Sequence, residues 1–242
     1  MRDLVTRGLC GWWNFRSHRT GTVIRNLGYL GRAGDATLRS GSSEHWVDSA
    51  VGRATYAEAD TVNGIYEAPA GIIPLPECTF VWTSDTPTVG GRRQELEQLG
   101  TGLNVYHWNN DTTVLLGGTT ILSLADYTKN VNVAAVGWRL TGLTYVAYYW
   151  MNGRLMGTGS GTLSSTPDPS SGVLRLGWGT SWIDPWMGCA KYTDFKMYDR
   201  CLSTPEVAAL AADPLDLGMQ RTFLRNAPTV YAPAAPTREI IV

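Results

Sequence analysis

The dipeptide Asn152-Gly153 is the feature of this sequence that most constrains the fold. It lies between the apolar run Thr144–Met151 and a second β-forming stretch that begins at Arg154. A two-residue type I′ turn needs positive φ at both central positions, and Asn followed by Gly adopts it readily. The sequence therefore predicts a β-hairpin here, with a strand on each side.

Other strand-like runs repeat along the chain and are separated by Gly, Pro, Asn and Asp. They are rich in β-branched and aromatic residues and occupy 9–15, 79–83, 131–138, 173–178 and 191–198. Short strands with frequent turn signals are typical of an all-β sandwich or barrel. With 43% apolar residues, the chain has enough material for a core.

One helix is predicted after the last strand-like run. Ser203 and Glu206 have the spacing of a capping box, and Pro205 falls in the first turn, where no helical hydrogen bond is lost. Pro214 ends the helix near Ala212. The following segment contains three prolines between 227 and 236, so we expect residues 213–242 to form an extended arm.

Charge and composition argue against several classes of protein. A formal net charge of −1 gives no overall attraction for nucleic acid or an anionic membrane. The N-terminus lacks the features of a secretory signal, and no stretch approaches the roughly 18 apolar residues of a membrane span. The four cysteines have no Cys-x-x-Cys spacing, so we expect buried thiols in a protein made in a reducing cytosol.

Five segments, in order, resemble the laminin-G-like, concanavalin A-like jelly-roll family. They are an aromatic opening strand (9–15), Gly-x-x-Gly-Asp-Ala-x-Leu (31–38), Thr-Phe-Val-Trp (79–82), the Asn-Gly hairpin (149–155) and a closing signature (186–207). The resemblance implies an all-β, two-sheet antiparallel jelly-roll sandwich with one short C-terminal helix. It implies a domain at 1–212, with the Pro-rich arm at 213–242, and it places Phe195 and Met197 in the core.

No catalytic constellation is evident. Glucanases that share this fold carry Glu-x-Asp-x-Glu on one strand, and here the nearest match, from Glu58, has Val62 at the third position. Glu95 and Glu97 lie in a charged stretch that we interpret as solvated surface. We therefore expect a protein without enzymatic activity.

No cofactor is expected from the sequence. Calcium is the one ion for which we consider a site, because relatives with this fold often bind it at the rim of the sandwich. Asn109, Asn110, Asp111 and Asp126 offer oxygen ligands, but Asn-Asn-Asp is also an ordinary turn composition. No ligand set is assigned.

Two loop-like segments combine Trp with Asn or Asp and are the candidate contact sites. The side chains concerned are Trp108, Asn110, Asp111, Trp182, Asp184 and Trp186. Three interpretations remain open: the rings cap the core, they anchor a protein interface, or they stack on the faces of sugars.

By analogy with tailed-phage proteins that combine such a domain with a short tail, we expect a bacteriophage virion component. It would be a capsid decoration or head-associated protein, made in the host cytoplasm and not secreted. Its partners would be capsid subunits, with Tyr231, Ile240, Ile241 and Val242 as a docking arm able to add a strand to a partner's sheet. The alternative is a lectin-like module for glycans on the host surface; a second copy of the chain is a further partner considered.

Overall fold

A computed structural model describes residues 6–17, 21–49, 52–57, 64–85, 92–108, 111–125, 132–177 and 190–213. They form short strands joined by turns, one α-helix, and 3-10 turns at Phe15–Ser17 and Gly31–Gly34. In chain order the elements are β1 (Leu9–Asn14), β2 (Val23–Ile24), β3 (Ala36–Leu38), β4 (Trp46–Ser49), β5 (Gly52–Ala57), β6 (Tyr66–Ala68), β7 (Glu77–Asp85), β8 (Arg92–Gln98), β9 (Leu103–Trp108), β10 (Asp111–Leu116), β11 (Thr119–Ala125), β12 (Asn132–Thr141), β13 (Thr144–Met151), β14 (Arg154–Thr162), β15 (Leu174–Leu176), β16 (Ala190–Tyr198) and α1 (Thr204–Ala211).

These strands form two eight-stranded antiparallel sheets. Sheet A has the order β14-β13-β12-β7-β16-β5-β4, with β1 also paired to β16; sheet B has the order β11-β10-β9-β8-β15-β6-β3-β2. The prediction of an all-β, two-sheet antiparallel sandwich with one short C-terminal helix is confirmed.

The Asn-Gly hairpin forms as its sequence predicts. Asn152 has φ of 49° and Gly153 has φ of 80°, the pair of positive angles that a type I′ turn requires. The turn joins β13 to β14, and Met151 pairs with Arg154 across it.

The main core fills the space between the two sheets. Trp13, Phe195, Trp82, Ala134 and Met151 are register partners across sheet A and all point into it. Sheet B contributes buried aliphatic side chains from its facing side, namely Leu96, Val105, Val114, Leu122, Leu174 and Leu176. Met197 also lies in this core, which confirms the inward orientation predicted for Phe195 and Met197.

Glycines allow β14, an edge strand of sheet A, to lie close to β11, an edge strand of sheet B. A Cβ at Gly159 in β14 would lie 2.0 Å from the carbonyl oxygen of Ile121 in β11, and one at Gly157 would lie 2.5 Å from Leu124. Side chains at these positions would force the strands apart. The two sheets therefore meet along this flank almost backbone to backbone.

Helix α1 packs on the outer face of sheet A. Val207 and Leu210 join a second apolar cluster there with Trp12, Val81 and Trp150. The Trp150 Nε1 donates a hydrogen bond of 3.0 Å to Thr204 Oγ1 at the start of the helix. The central strands β1 and β7 of sheet A are thus buried on both sides.

Three of the cysteines are buried free thiols, as expected: Cys10, Cys78 and Cys201. Burial raises the pKa of Cys10 to about 12 and that of Cys201 to about 11, so both thiols are protonated and unreactive at neutral pH. The fourth, Cys189, lies outside the described residues. None of the helices in the described ranges is long and apolar enough to cross a membrane.

The side-chain carboxylate of Glu206 stabilises the N-terminus of α1 by accepting hydrogen bonds from two residues. Glu206 accepts hydrogen bonds from the Ser203 backbone N–H at 2.8 Å and from both terminal nitrogens of Arg200, at 2.7 and 3.0 Å. The Arg200 guanidinium, with the Ser203 donors, lowers the pKa of Glu206 from 4.5 to about 2.

A depressed carboxyl pKa links stability to pH. The folded state gains from the Glu206 charge above pH 4.5, and this gain is lost as the pH falls from 4.5 towards 2. We expect Glu206→Gln to be less stable than the unmodified protein at pH 7, with a difference that shrinks at pH 3. Urea unfolding at both pH values measures it; a difference that does not change with pH would contradict the assignment.

Candidate functional site

Strand ends from both sheets meet at one end of the sandwich, here called the loop end. In sheet A, Asp85 lies beside Lys191 and Asn132 beside Ser84; in sheet B, Trp108 lies between Arg92 and Asp111. The chain passes between the sheets at this end through segments of six residues, 86–91 and 126–131. Such short connections require the two sets of strand ends to be neighbours.

The described residues that flank the two predicted Trp-containing segments lie at this same end. Asn110 lies between the ends of β9 and β10. Residues 178–189 lie between Gly177, whose N–H donates to the Glu95 carbonyl at 2.9 Å, and Ala190, which pairs with Ala57. The strand order places the flanking residues at one end, and residues 109–110 and 178–189 themselves lie outside the described residues.

The predicted site residues are described only in part. Asp111 is exposed as the first residue of β10, and Trp108 is the last residue of β9, where its backbone pairs with both neighbouring strands. The side chain of Trp108 lies outside the described residues, as do all of Asn110, Trp182, Asp184 and Trp186. The arm residues Tyr231, Ile240, Ile241 and Val242 also lie outside them. All these assignments stay predictions.

Beneath the loop end lies a buried polar group that the sequence did not predict. His107 Nδ1 is 2.8 Å from Thr112 Oγ1, and His107 Nε2 is 3.2 Å from Glu95 Oε1. The exposed fraction is 0% for Glu95 and Thr112 and 3% for His107. We call these three residues the buried triad.

The buried triad corrects one expectation. Glu95 and Glu97 were interpreted as solvated, yet their exposed fractions are 0% and 1%. A β-bulge between Gln94 and Leu96 turns Glu95 towards His107, while Glu97 is held on the other side of β8 by Arg175 at 2.5 Å. The alternation of Leu103, Val105 and His107 along β9 is the sequence signal that could have indicated an inward His107.

The buried triad has the order hydroxyl, imidazole, carboxylate, which is also the order of a nucleophilic triad. A nucleophile has to contact its substrate, and the Thr112 side chain has no exposed surface. The arrangement thus ties three strands together: the hydrogen bond between His107 and Thr112 joins β9 to β10, and the contact between His107 and Glu95 joins β9 to β8.

Across the outer face of sheet B runs a ladder of charged side chains. Arg175 bridges two carboxylates, with Nε 3.0 Å from Glu67 Oε1 and Nη1 2.5 Å from Glu97 Oε2. Because a guanidinium lies between them, these acids are engaged with Arg175 rather than with each other.

Metal ligation was considered for the same residues. No group of three or more His, Cys, Asp or Glu side chains suited to a metal ion occurs in the part of the chain that the structure describes. Of the oxygen donors named for calcium, Asn109, Asn110 and Asp126 lie outside that part, so calcium binding at these residues stays an untested prediction.

Comparison with known proteins identifies the fold and no family. No family model matches the chain, and no curated protein matches it. Among solved structures, it is similar to Trypanosoma rangeli sialidase in complex with sialic acid, with a TM-score of 0.61 and 14% identity over 87% of this chain and 33% of the sialidase. It is also similar to the binding domain of Paraclostridial Mosquitocidal Protein 1, with a TM-score of 0.62 and 12% identity over 86% of this chain and 52% of that one.

These neighbours share the β-sandwich, jelly-roll-like architecture. The chain spans a third of the sialidase and about half of the toxin binding domain. At such identities the likeness concerns the fold, and the sialidase activity belongs to that enzyme.

The Thr112 hydroxyl contributes to stability if the buried triad satisfies interior polar groups. We expect Thr112→Val, which keeps the side-chain shape and removes the partner of His107 Nδ1, to lower the free energy of unfolding by about 1–3 kcal/mol. Thr113→Val, one residue on and pointing to the other face, is the matched control and should change it by less than about 0.5 kcal/mol. Equal effects in urea unfolding would show that the hydroxyl has no such role.

Proposed function

We propose that this protein is a non-enzymatic binding protein that holds its partner at the loop end of the sandwich. The observation that supports the proposal is the convergence of strand ends there, among them the residues that flank segments 109–110 and 178–189. Binding residues are commonly presented on loops that a rigid scaffold positions. Trp, Asn and Asp in those segments suit a recognition surface.

The charged groups of the described residues support a role without catalysis. Glu67 and Glu97 share Arg175, and Glu95 is enclosed with His107. Asp194 is paired with Arg16 and Lys196. Each of these carboxylates thus has a structural partner.

The partner proposed first is another protein subunit, in a bacteriophage virion, with this chain as a capsid decoration or head-associated protein. What supports it is the organisation of the sequence: a jelly-roll unit at 1–212 followed by an arm at 213–242 that ends in Ile240, Ile241 and Val242. Extended apolar segments of this kind bind by adding a strand to the edge of a partner's sheet. Near-neutral charge suits docking through apolar and backbone contacts.

Deleting residues 228–242 tests this role of the arm. The shortened protein should fold with unchanged near-UV circular dichroism, because the residues of both apolar clusters lie between Leu9 and Leu210. It should lose at least tenfold in its incorporation into particles when co-produced with the phage structural proteins. A variant with Ile240, Ile241 and Val242 all changed to Ser is the smaller counterpart. Unchanged incorporation of both would refute docking through the arm.

A glycan is the second candidate partner. Two observations favour it: Trp with Asn or Asp on both segments of the loop end, and a structural neighbour that is itself a binding domain. Aromatic rings stack on the apolar faces of sugars, while amides and carboxylates bond to the hydroxyl groups.

Trp182→Ala tests glycan binding at the loop end. If a glycan binds there, we expect the unmodified protein to bind members of a glycan array and the variant to lose at least tenfold in affinity. Tyr29→Ala is the control, because Tyr29 is 63% exposed and bonds to Asp199 beyond the far end of β16. Arrays run in calcium and in EDTA separate a metal-dependent mode. Binding that Trp182→Ala leaves intact would rule out this site.

A further inference from the structure

Residues 22–30 connect the edge of sheet B to the first strand of sheet A and are here called the bridging segment. At its start, β2 pairs with β3 at the edge of sheet B. Further on, the N–H of Leu27 donates to the carbonyl oxygen of Trp12 in β1, at 2.8 Å. One short stretch of chain is therefore bonded to both layers of the sandwich.

Burial alternates along the bridging segment. Three of its residues are buried, namely Ile24, Asn26 and Gly28. The four residues that alternate with them are exposed and are here called the ridge: Val23, Arg25, Leu27 and Tyr29. The exposed fraction is 44% for Val23, 41% for Leu27 and 63% for Tyr29. Exposed apolar side chains are ordinarily scattered singly, so three of them on one short stretch indicate an interaction surface.

Buried hydrogen bonds fix the backbone beneath the ridge. The side-chain oxygen of Asn26 accepts the N–H of Gly28 at 2.8 Å, and its side-chain nitrogen donates to the carbonyl oxygen of Cys10 at 3.1 Å. A Cβ at Gly28 would lie 2.3 Å from that same carbonyl oxygen, so the segment lies tightly against β1. The Tyr29 hydroxyl donates to Asp199 at 2.9 Å. The ridge is thus ordered before any partner arrives, which lowers the entropic cost of binding.

Three exposed arginines accompany the ridge. Arg25 belongs to it, and Arg32 follows Tyr29 by three residues. Arg7 lies two residues before Leu9, whose carbonyl oxygen accepts the N–H of Tyr29 at 3.0 Å. In the part of the chain that the structure describes, none of these three guanidinium groups forms an ion pair. Their charges are therefore available to a partner.

Two carboxylates lie beside the ridge, and both hold the bridging segment in place. Asp35 accepts the backbone N–H of Asn26 at 2.8 Å, and Asp199 accepts the Tyr29 hydroxyl. Three arginines against two carboxylates leave the ridge with a positive excess, although the chain as a whole has a formal net charge of −1. Such a local field favours a partner that brings negative charge.

We infer that the ridge, together with Arg7 and Arg32, docks an acidic segment of another protein. Apolar side chains of that segment pack on Val23, Leu27 and Tyr29, and its carboxylates pair with the arginines, whose planar guanidinium groups match a carboxylate. A protein suits the surface better than a nucleic acid, because contacts to phosphates need no exposed aliphatic side chains. The surface lies away from the loop end, so the inference goes beyond the proposed function.

Peptide binding to the full chain tests the inference by fluorescence anisotropy. The probe is a labelled peptide with two copies of Asp-Leu-Asp-Phe, and the opposite-charge probe has Lys in place of each Asp. We expect the acidic peptide to bind roughly tenfold more tightly than the basic one at about 50 mM salt. Leu27→Ser and Arg25→Glu should each weaken binding of the acidic peptide roughly tenfold.

Matched controls change exposed residues of the same kinds elsewhere. Val146 in β13 is 38% exposed, and Arg154 in β14 is exposed. Val146→Ser and Arg154→Glu should leave the affinity for the acidic peptide within about twofold. Tyr29→Ala should weaken peptide binding although it leaves the loop end untouched, which separates this surface from the proposed function.

Three results would overturn the inference. The first is equal affinity for the two peptides, or an equal loss in the ridge and control variants. The second is competition by oligothymidine combined with a loss in Arg25→Glu but not in Leu27→Ser, which would assign the surface to nucleic acid. The third is a dimer in sedimentation that Leu27→Ser dissociates, which would assign the ridge to a second copy of the chain.

Discussion

The pairing of β1 with β16 is the contact on which sheet A depends. It joins the first strand to the last, from Leu9 opposite Tyr198 to Asn14 opposite Asp194. β16 pairs with β7 along one edge, with a register shift between Tyr192 and Asp194. Along its other edge β16 pairs first with β5 and then with β1. The strand that comes last in the chain is thus central in the sheet. Sheet A can be completed only after nearly the whole domain has been synthesised, and its contacts close long loops, which favours slow folding.

The two sheets are buried in different ways because their outer faces have different neighbours. β1 is buried at every position and β7 at all but its two ends, whereas β10 alternates between buried and partly exposed residues. Sheet A therefore behaves as a central layer between sheet B and the layer of α1. The outer face of sheet B carries the charged ladder of Glu67, Arg175 and Glu97. The loop end projects from a scaffold in which the central strands β1 and β7 of sheet A are buried on both faces.

Local signals in the sequence predicted the elements that depend on neighbouring residues. Asn152-Gly153 forms its turn, and Ser203 and Glu206 start the helix, whereas the inward positions of Phe195 and Met197 follow from the family resemblance. The inward position of Glu95 depends on a bulge and on a histidine twelve residues away, and no local pattern indicates such a contact. Strands of two or three residues, such as β2 and β6, are too short for a periodicity to stand out. Strand order, which brings the flanking residues of the two candidate segments to one end, follows from long-range pairing and not from composition.

The glycine-lined contact between β14 and β11 has a mechanical consequence. Where side chains separate two sheets, they can rotate and let the layers slip past each other. At Gly159 the carbonyl of Ile121 occupies the space that a β-carbon would need, so this seam contains main-chain atoms with no rotamers to change. Shear between the layers at Gly159 would drive backbone into backbone, so this contact resists sliding of β14 past β11.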